Sequence, residues 1–405
     1  MLAAALLASF IGAVAGHKGT LREVTAVPNL DDLGLPAPGA TGGPCACCFA
    51  PSLIAVLDNG RVAALAAPSL PPLFAHALSL VLEARREPDD GHGHGRLDQA
   101  TTASGDGILS RGSDLDFATL AVLLINPGVH VAWALRKRLL LSGATDGVGE
   151  LWATAIVLSA HPKGGLPFAH RSWVHATVGL RGHLSDDLAV CEAAAHAHPR
   201  NYYAWTHRLR TARILSRCLP AVQPAGQHLA VGLTSKHRGT AEGDVQTEDD
   251  TVLEERVLAG ELDASTAYVS VHPGDHCALH YRAALVELLA RAPGAVPAAV
   301  AERELCLADR LTMTYEGHEA LWRYRRRALA WAVSAASGDA VGRIVASDAR
   351  FAKDRLQLAS KTLKEMADHS APGSLQDRAI ERWEMERRHA ANHERHLSLR
   401  YGLQG

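Results

Sequence analysis

The chain is short of the features that mark a self-contained catalytic domain. Neither sign of charge prevails: 41 Lys and Arg stand against 43 Asp and Glu, a formal net charge of −2. Nothing global therefore favours nucleic acid or an anionic membrane surface as a partner. Cysteine is sparse for 405 residues, and the seven present (Cys45, Cys47, Cys48, Cys191, Cys218, Cys277 and Cys306) are odd in number. Their spacing fits no disulfide framework in a chain of this length and suits a reducing compartment. Cys45, Cys47 and Cys48 form a compact trio, but no second ligand cluster has zinc spacing, so no metal is assigned to this chain. Long apolar runs are missing too. Residues 2–15 are apolar and Ala13-Val14-Ala15 resembles a small-residue cleavage site, yet no Lys or Arg precedes Lys18. The run is well short of the roughly 20 residues that span a bilayer, so an N-terminal packing helix and a cytoplasmic chain are expected. A phosphate-cradling glycine loop and a nucleophile–base constellation are also absent.

What the sequence has instead is a repeated frame: a proline, six residues to a large apolar side chain, then three more to arginine. It reads Pro127/Trp133/Arg136, Pro162/Phe168/Arg171, Pro199/Trp205/Arg208, Pro273/Leu279/Arg282 and Glu316/Trp322/Arg325, the proline being lost only in the last copy. Four copies place His or Tyr just before the arginine: His170, His207, Tyr281 and Tyr324. A fixed register repeated along a chain is the signature of a repeat array, and with 47% apolar residues there is ample material for its core. The anchors at 133, 168, 205, 279 and 322 are 35, 37, 74 and 43 residues apart. The 74 means either a hidden repeat or an insertion. Residues 219–251 hold four glycines or prolines in their first fourteen positions and end in acidic residues without the frame, which reads as a flexible insertion.

The periodicity between anchors is helical. Phe117, Leu120, Ala121 and Leu124 fall at i, i+3, i+4 and i+7, and Asn126-Pro127-Gly128 stops that stripe. Helices are expected over about 72–86, 129–141, 151–160, 168–180, 185–197, 202–217 and 252–271. Ser185 is an N-cap candidate ahead of Asp186 and Asp187. Proline ends one helix by removing a donor and restricting the residue before it, and the next helix starts a few residues later. The apolar anchor and arginine then share one face, where the anchor fills the seam between hairpins and the arginine bonds helix-end carbonyls or a carboxylate of the adjacent unit.

The expected fold is therefore all-α, an α-α superhelix of stacked helical hairpins over 112–338. A less regular extension would precede it at 1–110, with a short hairpin about Asp58-Asn59-Gly60 and a linker at 88–111 in which His92 and His94 are read as solvated. Two charged helices, 339–369 and 375–401, would cap its end, with Trp383 as their packing anchor.

The third copy is the most specific. Pro199-Arg200-Asn201-Tyr202-Tyr203-Ala204-Trp205-Thr206-His207-Arg208 resembles the repeat of protein prenyltransferase α subunits, and the degenerate copies are similar to the divergent repeat-containing branch of that family. Gly164-Gly165, Phe168 and Leu279 depart from the usual pattern. The resemblance implies an α subunit of a heterodimeric protein geranylgeranyltransferase of the third type, paired with a Rab-type β subunit that carries zinc and most of the geranylgeranyl diphosphate pocket. The acceptor would be a protein with a C-terminal cysteine, a vesicle-fusion SNARE by branch. The family's lysine beside the diphosphate falls on Lys163, where an ammonium would neutralise the leaving group. Asn201, Tyr202 and Tyr203 would line the same cleft, with Tyr203 standing where the family commonly has His. Asn201 also has a local role open to it as an N-cap. A plain TPR-like scaffold without enzyme activity, and a farnesyltransferase or Rab-type α subunit, are the alternative readings.

Overall fold

The computed structural model describes residues 23–27, 54–57, 62–66, 70–86, 111–217, 250–289, 297–368 and 374–402. The run at 2–15, the cysteine trio, His92, His94, most of the linker and all but the end of the 219–251 segment lie outside them. Thirteen helices dominate the described residues: α1 Leu70–Arg86, α2 Arg111–Ile125, α3 His130–Leu141, α4 Gly147–Ala160, α5 Gly165–Val178, α6 Leu184–Ala197, α7 Tyr202–Arg217, α8 Asp250–Val271, α9 His276–Leu289, α10 Pro297–Thr314, α11 Glu319–Ala335, α12 Asp339–Asp368 and α13 Ser374–Tyr401. They form helical hairpins, the all-α repeat architecture expected from the frame. The chain divides into two compact units, Met1–His207 and Arg208–Gly405, with the boundary inside α7.

In the first unit a small sheet precedes the helices. Strands β1 (Glu23–Val27), β2 (Ile54–Leu57) and β3 (Val62–Ala66) take the order β1-β3-β2. β2 and β3 pair antiparallel on either side of Asp58-Asn59-Gly60, with Leu57 opposite Val62. β1 joins β3 in parallel, Glu23 opposite Val62, a pairing that no local signal announces. The helical core begins with α1, whose Leu73, Ala77, Val81 and Ala84 form one buried stripe. α2 buries nearly every residue from Phe117 to Leu124, as a helix packed on several sides must. Trp133 of α3 completes this cluster, and its indole donates to the Pro127 carbonyl at 2.9 Å. The turn proline and the anchor six residues later are thus joined directly. At α6 the cap differs from expectation: His183 occupies the N-cap with its ring on Asp186 and caps no backbone amide, and Ser185 lies inside the first turn.

The second unit stacks α8 with α9 and α10 with α11 before the long pair α12 and α13. Asp348 meets His393 and Arg355 meets Glu386, so α12 and α13 run antiparallel. Glu386 is fully buried and holds three donors: Arg355, the Trp322 indole and the Gly317 amide. Gly317 has φ 76°, and a Cβ there would come within 2.7 Å of the Arg382 carbonyl oxygen, so glycine is required. Trp383 is half-buried under the Arg355 guanidinium. The fixed joint of these capping helices is therefore Glu386, one turn along from Trp383.

Candidate functional site

The residue two places after the turn proline decides how each second helix starts. At Val129, Gly164 and His318 no side chain caps the helix. Asn201 and Asp275 do cap theirs. The Asn201 Oδ1 accepts from the Ala204 amide at 3.2 Å, and Asp275 accepts from Cys277 and Ala278 at 2.9 and 3.1 Å. Asn201 does more than cap. Its Nδ2 donates to the Pro162 carbonyl at 2.5 Å and to Ala194 at 3.3 Å, tying the α6–α7 turn to the α4–α5 turn. The residue is completely buried, so its polar atoms are used in holding the turns together, and it does not line an open cleft.

That tie gathers the other candidates. Lys163 follows Pro162 directly and is exposed, and its ammonium makes no ion pair among the described residues. Tyr203 lies over the same turn: a Cβ on Gly165 would come within 2.7 Å of its ring. Tyr202 and Tyr203 are 63% and 44% exposed and meet edge to face at 5.6 Å. Lys163, Gly165, Tyr202 and Tyr203 thus share one surface patch, positioned from beneath by Asn201. Gly165 takes the place that a bulky side chain would deny to Tyr203, which accounts for the departure from Asn-Tyr in the second copy.

The frame residues themselves are interior. Trp133, Arg136, Phe168, Arg171, Trp205, Arg208, Leu279, Arg282, Trp322 and Arg325 are all at most 5% exposed. Each arginine reaches a carboxylate on the first helix of the next hairpin. Arg136 pairs with Glu150 at 2.9 Å, Arg171 with Asp187 at 2.6 Å, Arg208 with Glu261 at 2.7 Å, Arg282 with Glu304 at 2.8 Å, and Arg325 with Asp348 at 2.5 Å. Arg171 and Arg282 also donate to the carbonyls of Leu151 and Leu262 behind them, both at 2.6 Å. The same carboxylate is then bonded by the aromatic residue before the next arginine. His170 meets Glu150, His207 meets Asp187, Tyr281 meets Glu261 and Tyr324 meets Glu304. The result is a ladder in which each acid joins two consecutive hairpins. Arg208 reaches Glu261 as Arg171 reaches Asp187, so the 74-residue interval is a single step of the ladder carrying an insertion.

No motif in the sequence singles these acids out, although a signal exists: each lies twenty residues before its His or Tyr. Burial would raise the pKa of Glu150, but Arg136 and His170 outweigh it and hold the carboxyl below its ordinary range. Asp187 is lowered in the same way, against its burial, by His175, His207 and Arg171. Burial first, then the Glu261 charge, pushes Tyr281 far up, and burial with Glu304 does the same to Tyr324. The ladder is therefore locked in its paired state at neutral pH.

Beside it, α4 and α6 enclose a groove of about 1020 Å³ lined by Leu151, Trp152, Ile156, Val190 and Ala193, with Arg171 and Pro162 also contributing. The corresponding groove between α8 and α10 is about 680 Å³ and carries Asp263, Glu302, Arg303 and Arg310. Among the described residues no three His, Cys, Asp or Glu side chains stand together as a metal-binding set. No described helix is long and apolar enough to cross a membrane.

Stacked helical hairpins joined by turn proline, anchor and arginine define a helical repeat protein. The protein prenyltransferase alpha subunit repeat matches residues 184–214, which cover α6 and most of α7. The chain is 26% identical over 258 residues to protein prenyltransferase alpha subunit repeat-containing protein 1 of Danio rerio, covering 51% of this chain and 52% of that one. It is likewise 26% identical over 262 residues to the protein of that name in Homo sapiens, covering 51% and 56%. The Xenopus laevis protein 1-B matches at 26% over 263 residues, covering 52% and 53%. The chain thus spans about half the length of the curated relatives it matches, and it is similar to the repeat-containing branch.

Proposed function

We propose that this chain is the α subunit of a heterodimeric protein prenyltransferase, of the third geranylgeranyltransferase type. The observation that carries the reading is the Lys163 patch. The buried Asn201 amide fixes the turn holding Lys163 against the helix start holding Tyr202 and Tyr203, and the lysine and both tyrosines are left exposed. In this reading a Rab-type β subunit packs against the chain and supplies the zinc. Zinc would activate the acceptor cysteine as thiolate, and geranylgeranyl diphosphate would be the second substrate. The cysteine sulfur bonds the isoprenoid C1 as the C1–oxygen bond breaks, and diphosphate leaves with the electron pair. Lys163 is exposed and uncompensated, so its ammonium is available to stabilise charge developing on that diphosphate. Tyr202 and Tyr203 offer hydroxyls and ring faces beside it for the acceptor's C-terminal segment, with a SNARE as the acceptor class and the cytoplasm as the compartment.

Co-expression with each prenyltransferase β subunit, followed by measurement of complex formation and isoprenoid transfer, tests the reading. Transfer by one pair, reduced about tenfold or more by Lys163→Ala with the complex intact, is the expected result. No complex with any β subunit would overturn it. A second reading, a scaffold without enzyme activity, is favoured by the apolar α4–α6 groove, whose size suits an apolar peptide segment. Binding to a β subunit without transfer would select that reading.

A further inference from the structure

In the second unit, α11 and α13 enclose a cleft of about 300 Å³ with mostly polar walls, remote in sequence from the Lys163 patch and bounded on one side by the frame anchor Trp322. Arg323 and Arg326 line it from α11, and Arg395, His389 and His396 from α13. The only carboxylate in the lining is Glu319, and it is engaged by Arg323 at 2.7 Å. Arg326 is half-buried, and its one hydrogen bond is a long 3.4 Å contact from Nε to His393 Nδ1. Both of its terminal nitrogens are left without a protein acceptor among the described residues. Arg395 is exposed and pairs with no carboxylate among them. His389 is only 6% exposed and makes no hydrogen bond among the described residues, although it lines the cleft. A buried polar ring and a half-buried guanidinium are costly to leave without partners, and water or a ligand must satisfy them.

We propose that this cleft binds a small anion bearing two or more phosphate charges, of the pyrophosphate class. Two guanidinium groups without carboxylate partners demand more than one negative charge, which a single peptide carboxylate does not supply. Their planar forks match phosphate oxygens two at a time, and the cleft is too small and too polar for an apolar ligand. The electrostatics of the site are those of a cation-rich cleft. Burial lowers the basicity of Arg326, and Arg323 adds to this. Burial likewise lowers His389, with Arg388 and Arg326 acting in the same sense against Glu319 and Glu386. His396 is lowered by burial and then by Arg326, His393 and Arg400, opposed by Asp348 from α12. A bound polyanion reverses the charge term at both histidines. The site is independent of the prenyltransferase reading.

Titration calorimetry of the full chain with sodium pyrophosphate at fixed ionic strength tests the proposal, with citrate as a carboxylate comparator of similar charge. One site per chain is expected, weakened about tenfold by Arg326→Gln and by the exposed Arg395→Gln. Glu319→Gln should tighten binding about threefold by releasing Arg323. Arg350→Gln, an exposed change elsewhere on α12, should leave it unchanged. Saturating pyrophosphate should also raise the NMR titration midpoints of His389 and His396 by about one pH unit. Absence of binding, equal binding to Arg326→Gln and Arg395→Gln, or citrate binding as tight as pyrophosphate would each overturn the assignment.

Discussion

Glu150 in the first unit is held by an arginine and a histidine and Asp187 by an arginine and two histidines, whereas Glu261 and Glu304 in the second are each held by an arginine and a tyrosine. The geometry is the same in both. The chemistry is not, because histidine titrates near neutrality and tyrosine only at high pH. One mechanical joint is thus built twice from side chains with opposite responses to pH. The grooves beside the joints differ in parallel, apolar between α4 and α6 and charged between α8 and α10.

The comparison is broken most severely by removing the shared acid. Asp187→Ala leaves Arg171, His175 and His207 without their carboxylate, and Glu304→Ala leaves Arg282 and Tyr324. Each should cost about 3–5 kcal/mol in urea unfolding, since an uncompensated buried charge is stranded. Next in size is the response to pH. His170 has its pKa lowered by burial, against Glu150, so it stays neutral when folded while the unfolded chain takes up a proton below about 6.5. Stability from that joint is therefore lost as pH falls from 6.5 towards the folded value. Glu150 and Asp187 have lowered pKa values, so their contribution is full above their ordinary 4.5 and 3.8 and is lost as pH falls through the folded values. Tyr281 and Tyr324 are raised, so their contribution is full below 10 and lost as pH rises beyond it. Hydrogen exchange should accordingly open α4 and α5 first on acidification and α9 and α11 first at high pH. Simultaneous opening in both directions would contradict the contrast.

A smaller effect is expected from exchanging the partner itself. Tyr324→His should lower stability by about 1–3 kcal/mol and bring acid sensitivity to α10 and α11. The turns give another contrast. Asn201→Ala removes a cap and the tie to Pro162 and should cost about 1–2 kcal/mol, while Val129→Ala at the equivalent uncapped turn should cost less than about 1 kcal/mol. Thermal unfolding of the two variants checks this. Smallest of all is Gly165→Ala. The added Cβ meets first the partly exposed Tyr203 ring, which is able to shift, so a change within about 1 kcal/mol is expected together with altered Tyr203 fluorescence.

Much of the fold was legible because proline, anchor and arginine act locally. A turn proline stops a helix whatever surrounds it, and an anchor six residues on can bond back to that turn, as Trp133 does to Pro127. The candidate site was legible only in part. Lys163 and Asn201 are 38 positions apart in the chain, and no local pattern states that the amide of one turn bonds the carbonyl of another. The same applies to Glu150 and Asp187, which resemble ordinary solvated acids on a helix until the neighbouring hairpin is packed against them.

By itself the sequence determined the hairpins, their number of ladder steps apart from the long interval, and the repeat family they resemble, because helix stops and apolar period are short-range effects. Tertiary structure decided the rest. It assigned each frame arginine its carboxylate, resolved the 74-residue interval as one step through Arg208 and Glu261, turned Asn201 from a cleft residue into a buried tie, and left Arg326 in the cap without a carboxylate, and His389 without a hydrogen bond, among the described residues. Those outcomes depend on which charges are removed from water together, and only packing across helices brings them within reach.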